Sequence, residues 1–175
     1  PDGSWKETPE EWTGTTIDQL LMLVLAYEKI SARLTAAERE AWLRAIEGAA
    51  DYLAHVMSPE FASINYCATT TASLAAAHRL VAKPAYLKKA RDLARATVAK
   101  MDEDGFLNGE GGKCHNLKMG VDLGYTLEMS FWGLAYYARL TGDTLVDDLV
   151  RRALPAHLTF IYPDGSMDGS WGIRS

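Results

Sequence analysis

The chain is poor in cysteine, in basic clusters and in long apolar runs. Cys67 and Cys114 are its only cysteines in 175 residues. One pair fixes no disulfide framework, and with no CxxC and no HExxH there is no zinc pattern. Cys67 lies in an apolar stretch and reads as a small core residue. No segment approaches the ~18 continuous apolar residues of a membrane span, so no membrane is expected as a partner. The 18 Lys and Arg against 23 Asp and Glu leave a net charge of −5. Nucleic-acid grooves need clustered cations, and the densest group here, Lys88, Lys89, Arg91 and Arg95, reads as the solvated face of a helix. There is no Ser-His-Asp signature, no GxSxG and no phosphate-cradling GxxxxGK[ST]. No metal and no cofactor is expected. The chain opens on Pro1-Asp2 without a signal peptide, which reads as a processed chain or an excised piece and leaves the compartment open.

What is present is helix. At 48% hydrophobic and 23% charged residues, the chain has an ordinary globular composition and length for one sizeable core. The stretch 120–142, GVDLGYTLEMSFWGLAYYARLTG, repeats apolar residues at helical spacing: Leu123, Leu127, Phe131, Leu134 and Ala138, with Met129, Trp132 and Tyr136 beside them. It is apolar around most of its circumference and is expected to be an inner helix, stopped by Gly142. Its polar groups, Asp122, Tyr125 and Glu128, gather at the N-terminal end. The shaft from Phe131 to Leu140 is assigned to packing.

Taken in order, residues 1–14 read as loop, with Trp5 and Trp12 in polar surroundings. A first helix is expected over 15–31. Thr35-x-x-Glu38 is a capping box that opens a second helix reaching about residue 57. Helices follow over 64–81 and, after Pro84 at a first turn, over 85–101. A glycine-rich loop spans 105–120. The 121–141 helix and a last one over 144–160 complete the set, with Pro155 expected to kink or split the last. The tail reads as loop. Asp164-x-Ser166-x-Asp168-Gly169 resembles a calcium loop, but Ser175 occupies the twelfth position where a carboxylate belongs, and a glycine-rich turn is the better reading.

Apolar, low-charge helices (15–31, 64–81, 121–141) alternate with more charged ones (36–57, 85–101, 144–160). Ala26-Tyr27, Ala77-His78 and Ala135-Tyr136 occupy matching places, and Asp-Gly turns punctuate the chain at 2–3, 104–105, 164–165 and 168–169. Periods of this size mark stacked helical hairpins. The predicted fold is all-α: about six main helices in hairpin repeats forming a partial (α/α) toroid, as one domain over 1–175 or part of a longer one.

In such an array the inner-helix starts and the loops before them share a rim. Asn65, Tyr66, Asp122, Tyr125 and Glu128 lie at helix starts, with Asp18 in the first helix. The long loop adds Glu110 and His115. Trp5 and Trp171 offer aromatic faces for sugar rings, and carboxylates and amides hydrogen-bond sugar hydroxyls, so one rim suits a polysaccharide or oligosaccharide. Each residue has a plainer reading. Tyr125 packs with a satisfied hydroxyl or serves as an acid or base. Asn65 is an N-cap or a binding group. His115 is a surface loop residue or a site residue. Glu128 caps, pairs or belongs to the site, since burying it alone is unfavourable. His55, His78 and His157 read as structural.

DGFLNGEGG, then GVDLGYTLEMSFWGLAYYARLTGD, then YPDGSMDGSWGIRS resemble the helical domain of heparinase II/III-like and related polysaccharide lyases, over about residues 104–175. The resemblance implies an α/α toroid joined to a C-terminal β-rich domain absent here, a periplasmic or secreted location, and β-elimination on a uronic-acid polymer. By position it makes Asn65 the neutraliser of the uronate carboxylate, Tyr125 the acid/base, His115 a second base and Glu128 a positioning residue. It also makes Arg174 a carboxylate contact; Asp122, Trp171, Trp5 and Tyr66 are assigned to substrate binding from their places on the rim. Two other readings stay open. One is a glycoside hydrolase on the same scaffold, with two carboxylates about 5–9.5 Å apart drawn from Asp122, Glu128, Glu110 and Asp18. The other is a non-catalytic helical-repeat binding domain.

Overall fold

The computed structural model describes residues 2–5, 13–110 and 120–168. His115, Trp171, Arg174, Trp12 and Cys114 lie outside the described residues. Among the described residues there is no strand, only helices and three isolated antiparallel bridges. The helices are α1 (Thr13–Ile30), α2 (Ala36–Val56), α3 (Ile64–Val81) and α4 (Pro84–Val98). A continuous helical run then comprises α5 (Leu123–Tyr125), a π-helical segment (Thr126–Phe131) and α6 (Trp132–Thr141), and α7 is Thr144–Leu158. The chain is all-α, as the periodicity requires.

The order of packing is that of stacked hairpins. Each inner helix pairs with the outer helix that follows it: α1 with α2, α3 with α4, α6 with α7. Inner helices also pack on each other, α1 on α3 and α3 on α6. α3 is central and nearly all buried, from Ile64 through Ala77 apart from Tyr66. Its alanines, threonines and Ser73 let neighbours approach closely, and the hydroxyls find acceptors. Thr70 and Thr71 donate to the carbonyls of Tyr66 and Ala68, and Ser73 donates across to the Ile17 carbonyl at 3.0 Å. The outer helices are amphipathic. α4 buries Tyr86, Ala90, Leu93, Ala94 and Val98 and exposes Lys88, Arg91 and Arg95 on the other side.

The capping box at Thr35 forms in both directions, with the Glu38 amide on the Thr35 hydroxyl and the Thr35 amide on the Glu38 carboxylate. Those same bonds hold the Glu38 carboxyl below its ordinary range. Lys83, ahead of α4, reaches both Glu47 and Asp51 of α2, and Tyr86 donates to Asp51 at 2.6 Å. His78 pairs with the Lys83 carbonyl at 2.9 Å, a structural role, and His55 is exposed on α2. Burial pushes the Cys67 thiol up to about 12, which keeps it protonated and unreactive.

The Asp-Gly turns recur as one element. Residues 101–107 and 161–167 make the same hairpin: Asp102 N–H to Phe106 O and Gly105 N–H to Asp102 O, then Tyr162 N–H to Ser166 O and Gly165 N–H to Tyr162 O. At residues 2–4 and 164–166 the aspartate accepts from the amide and hydroxyl of the serine two positions on, so the calcium-loop likeness at Asp164 is a turn. The glycines hold φ near +90°, where side chains are disfavoured. Two of them also press on an outer helix. A Cβ on Gly3 would overlap the Gly48 carbonyl of α2, and one on Gly105 would sit 2.9 Å from Ala153 Cα of α7.

Two expectations are corrected. Pro155 does not split α7, which runs through it to Leu158. Pro155 lies near the C-terminal end on the exposed side, so the carbonyl it leaves unpaired can turn to water. The 120–142 stretch is not uniformly packed either: Trp132 is 46% exposed and Arg139 faces solvent.

Candidate functional site

Buried polar groups from distant parts of the chain meet where α3 begins. Ser63 precedes the helix but makes no side-chain cap, and Asn65, one residue into α3, is not the N-cap. The capping comes from far along the chain. The Gly109 carbonyl accepts from the Ile64 amide at 3.1 Å, and the Glu110 carboxylate accepts from the Asn65 amide at 3.1 Å. Gly109 and Glu110 are tied in turn to the Gly120 carbonyl at 3.0 and 2.9 Å, so residues 109, 110 and 120 are held together beside the start of α3. Glu110 is fully buried. A carboxylate at a helix N-terminus is favoured by the aligned peptide dipoles and the unpaired amides there.

Asn65 is also buried. Its Nδ2 lies 3.3 Å from the Met129 sulfur, a weak acceptor, and its Oδ1 has no hydrogen-bond partner among the described residues. Met129 belongs to the π-helical segment, which packs on α3. That segment buries two more hydroxyls without partners among the described residues, Thr126 and Ser130. A π-turn inserts one extra residue, and such insertions gather at functional sites. The result is a group of buried polar atoms whose hydrogen-bonding capacity is not used up among the described residues.

The other named residues are placed as follows. Asp122 is the N-cap of the 123–141 run, accepting from the Tyr125 amide at 3.0 Å. Tyr125, half-buried, ends α5 and immediately precedes the π-helical segment that carries Met129 and packs on α3. Tyr66 is half-buried against the core. Glu128 is exposed, which removes the burial argument made for it from sequence. The Trp5 amide donates to the Thr16 hydroxyl of α1 at 2.9 Å, and Trp5 packs on the core. Asp18 on α1 has its carboxyl raised by partial burial. His115, Trp171 and Arg174 are outside the described residues.

His157 is structural, as expected. It is fully buried between Phe106 and Phe131, with ring centroids at 5.1 and 4.7 Å, and its Nδ1 pairs with the Ala153 carbonyl at 3.1 Å.

Sequence reasoning missed two features. It put Glu110 on the rim, whereas Glu110 holds the Asn65 backbone across 45 residues, which no local pattern announces. It assigned Trp132 and Tyr136 to packing. Their spacing of four, continued by Arg139, was the available signal, because it falls on the side opposite Leu134 and Ala138.

Hairpins in this order, with buried polar atoms collected at the start of α3, define an all-α domain of stacked helical hairpins. The chain belongs to the family described as the ulvan lyase N-terminal domain, which matches residues 1–175. It is similar to the broad-specificity ulvan lyase of Formosa agariphila, at 28% identity over 181 residues, 99% of this chain and 28% of that protein. The chain therefore spans a little over a quarter of the length of that curated relative. No solved structure matches it. The family is one of polysaccharide-lyase domains, in keeping with the coarser part of the resemblance read from sequence.

Proposed function

We propose that the chain forms the helical part of a polysaccharide lyase that cleaves a uronic-acid polymer by β-elimination. The observation that carries this reading is the contact of the Asn65 amide with Met129, in a chain of the ulvan lyase N-terminal domain family. It joins the proposed neutralising residue to the segment that directly follows Tyr125. Asn65 donates from Nδ2 to the uronate carboxylate, a better acceptor than the sulfur it now faces. Draining charge from that carboxylate acidifies the C5 proton. Tyr125, or His115, removes the proton; the C5 electrons form the C4–C5 double bond, the C4–O bond breaks, and a tyrosine hydroxyl protonates the departing oxygen. Glu110 holds the Asn65 backbone, Glu128 positions substrate, and Asp122, Tyr66, Trp5, Trp171 and Arg174 are assigned to binding it. The heparinase II/III-like relationship, closure of the hairpins into a toroid and a further β-rich domain belong to the same reading.

The test is product chemistry on ulvan. A lyase yields unsaturated uronides that absorb in the near ultraviolet, and Asn65→Ala and Tyr125→Phe are each expected to lower kcat by roughly 10²–10⁴-fold. Saturated reducing ends without that absorbance would transfer the assignment to a glycoside hydrolase.

A further inference from the structure

The polar group described so far lies at the start of α3 and in the first turns of the 123–141 run, and the rest of that run was expected only to pack. It carries an exposed aromatic stack. Trp132 and Tyr136 lie ring on ring, with centroids 5.6 Å apart and planes 16° apart. The Arg139 guanidinium stands 5.9 Å from the Tyr136 ring centre, a cation–π arrangement. Trp132 nevertheless remains 46% exposed.

The direction of this stack is fixed by the residues behind it. Gly133, Leu134, Tyr137 and Ala138 are buried. Gly133 backs onto α3, where a Cβ would sit 2.7 Å from the Ala68 carbonyl oxygen, and α7 also packs on α6. At 100° per residue, Trp132, Tyr136 and Arg139 fall opposite this buried arc. They therefore lie on the face of the inner helix turned away from the outer helices. One turn before Trp132, on the way to Tyr125, is the exposed Glu128.

We infer that Trp132 and Tyr136, with Arg139, form a sugar subsite that extends the proposed site along α6 and takes an acidic polysaccharide. This rests on the lyase reading above. One face of the indole is covered by Tyr136; Trp132 is still 46% exposed, and its remaining surface suits stacking on a sugar ring, whose C–H face meets an aromatic surface favourably. Arg139 presents a forked cation to an anionic substituent of the same or the next sugar. From Trp132 to Arg139 the helix rises about 10 Å, so the two contacts fall on an extended chain rather than on a single group. The stack is already ordered by Tyr136 and Arg139, so little side-chain freedom is lost on binding.

The experiment uses the intact protein that carries this chain. KM and kcat are read from near-ultraviolet absorbance on ulvan, and binding of carboxyl-reduced ulvan is read by calorimetry. Trp132→Ala is expected to raise KM about tenfold with a much smaller change in kcat, and to weaken the carboxyl-reduced polymer as well. Arg139→Gln is expected to raise KM on native ulvan. If it leaves carboxyl-reduced ulvan unaffected, Arg139 reads the uronate carboxylate; if both weaken, it reads another anionic substituent. Leu158→Ser, an equally exposed apolar position on α7, controls for general surface effects and is expected to leave KM unchanged. Unchanged KM in both Trp132→Ala and Arg139→Gln, with wild-type cleavage intact, overturns the subsite and leaves the lyase reading standing. An unchanged KM accompanied by altered oligomeric state in Trp132→Ala reassigns the stack to a protein interface. If the wild type neither binds nor cleaves the polymer, both readings fall together.

Discussion

Gly133 of α6 sits against the backbone of Ala68 in α3, so close that a Cβ would lie 2.7 Å from the Ala68 carbonyl oxygen and 2.9 Å from its carbon. This contact sets both the separation of two inner helices and the rotation of α6, and through that rotation the outward direction of Trp132. Gly133→Ala must push backbone against backbone. It is expected to destabilise the fold by about 1–3 kcal/mol despite the better helix propensity of alanine, measured by urea unfolding. A neutral or stabilising effect would mean that the helices are free to separate.

The two Asp-Gly hairpins separate backbone strain from crowding. Gly105 and Gly165 have φ of +91° and +86°, but only Gly105 presses on an outer helix; nothing lies within 4 Å of a Cβ on Gly165. Gly165→Ala is expected to lose about 1–2 kcal/mol from the left-handed conformation alone. Gly105→Ala adds the overlap with Ala153 and is expected to lose more. Comparison of the two melting temperatures checks the order, and equal losses would remove crowding as a cause.

His157 supplies an acid-sensitive element. Burial among Phe106 and Phe131 lowers its pKa below the ordinary 6.5, so the folded state holds it neutral where the unfolded chain would take up a proton. The unfolded state then binds more protons, and stability rises with pH. The contribution is complete above about pH 6.5 and is lost as pH falls from there toward the lowered folded value. Unfolding free energy measured from pH 7.5 to 5.5 is expected to fall for the wild type and to fall less steeply for His157→Gln. Parallel slopes would reject the role.

Glu110 ties the loop preceding the 123–141 run to the start of α3. Glu110→Ala removes the acceptor for the Asn65 amide in a buried place, and a loss of about 1–3 kcal/mol is expected. Glu110→Gln keeps an acceptor oxygen of the same shape and is expected to lose less. Amide exchange at Asn65 should quicken in Glu110→Ala; unchanged exchange would show that α3 is held without it.

The hairpin repeat was legible because it is written in local patterns. Apolar stripes, the Thr35–Glu38 box, Pro84 at a helix start and Gly142 at a helix end each act within a few residues, and each stands in the structure. The Asp-Gly turns were legible for the same reason. Pro155 misled because its cost depends on where it falls in a helix, and near an exposed C-terminal end that cost is small.

The site was less legible. Asp122, Tyr125 and Asn65 were singled out by their places at helix starts. That Asn65 meets Met129, and that Glu110 rather than Ser63 caps α3, depends on contacts 64 and 45 residues apart in the chain. Trp132 and Tyr136 looked like core because hydropathy reports that a residue is apolar, not which way it points.

By itself, then, the sequence determined the elements, their order, their alternation and the family likeness, since helix periodicity, caps and turns are short-range physics. Tertiary structure alone decided which side of each helix is covered. That choice follows from close contacts such as Gly133 on Ala68 and Gly105 on Ala153, where absent side chains let backbones meet. It is what buries Asn65 and Glu110 together and leaves Trp132 and Tyr136 facing out.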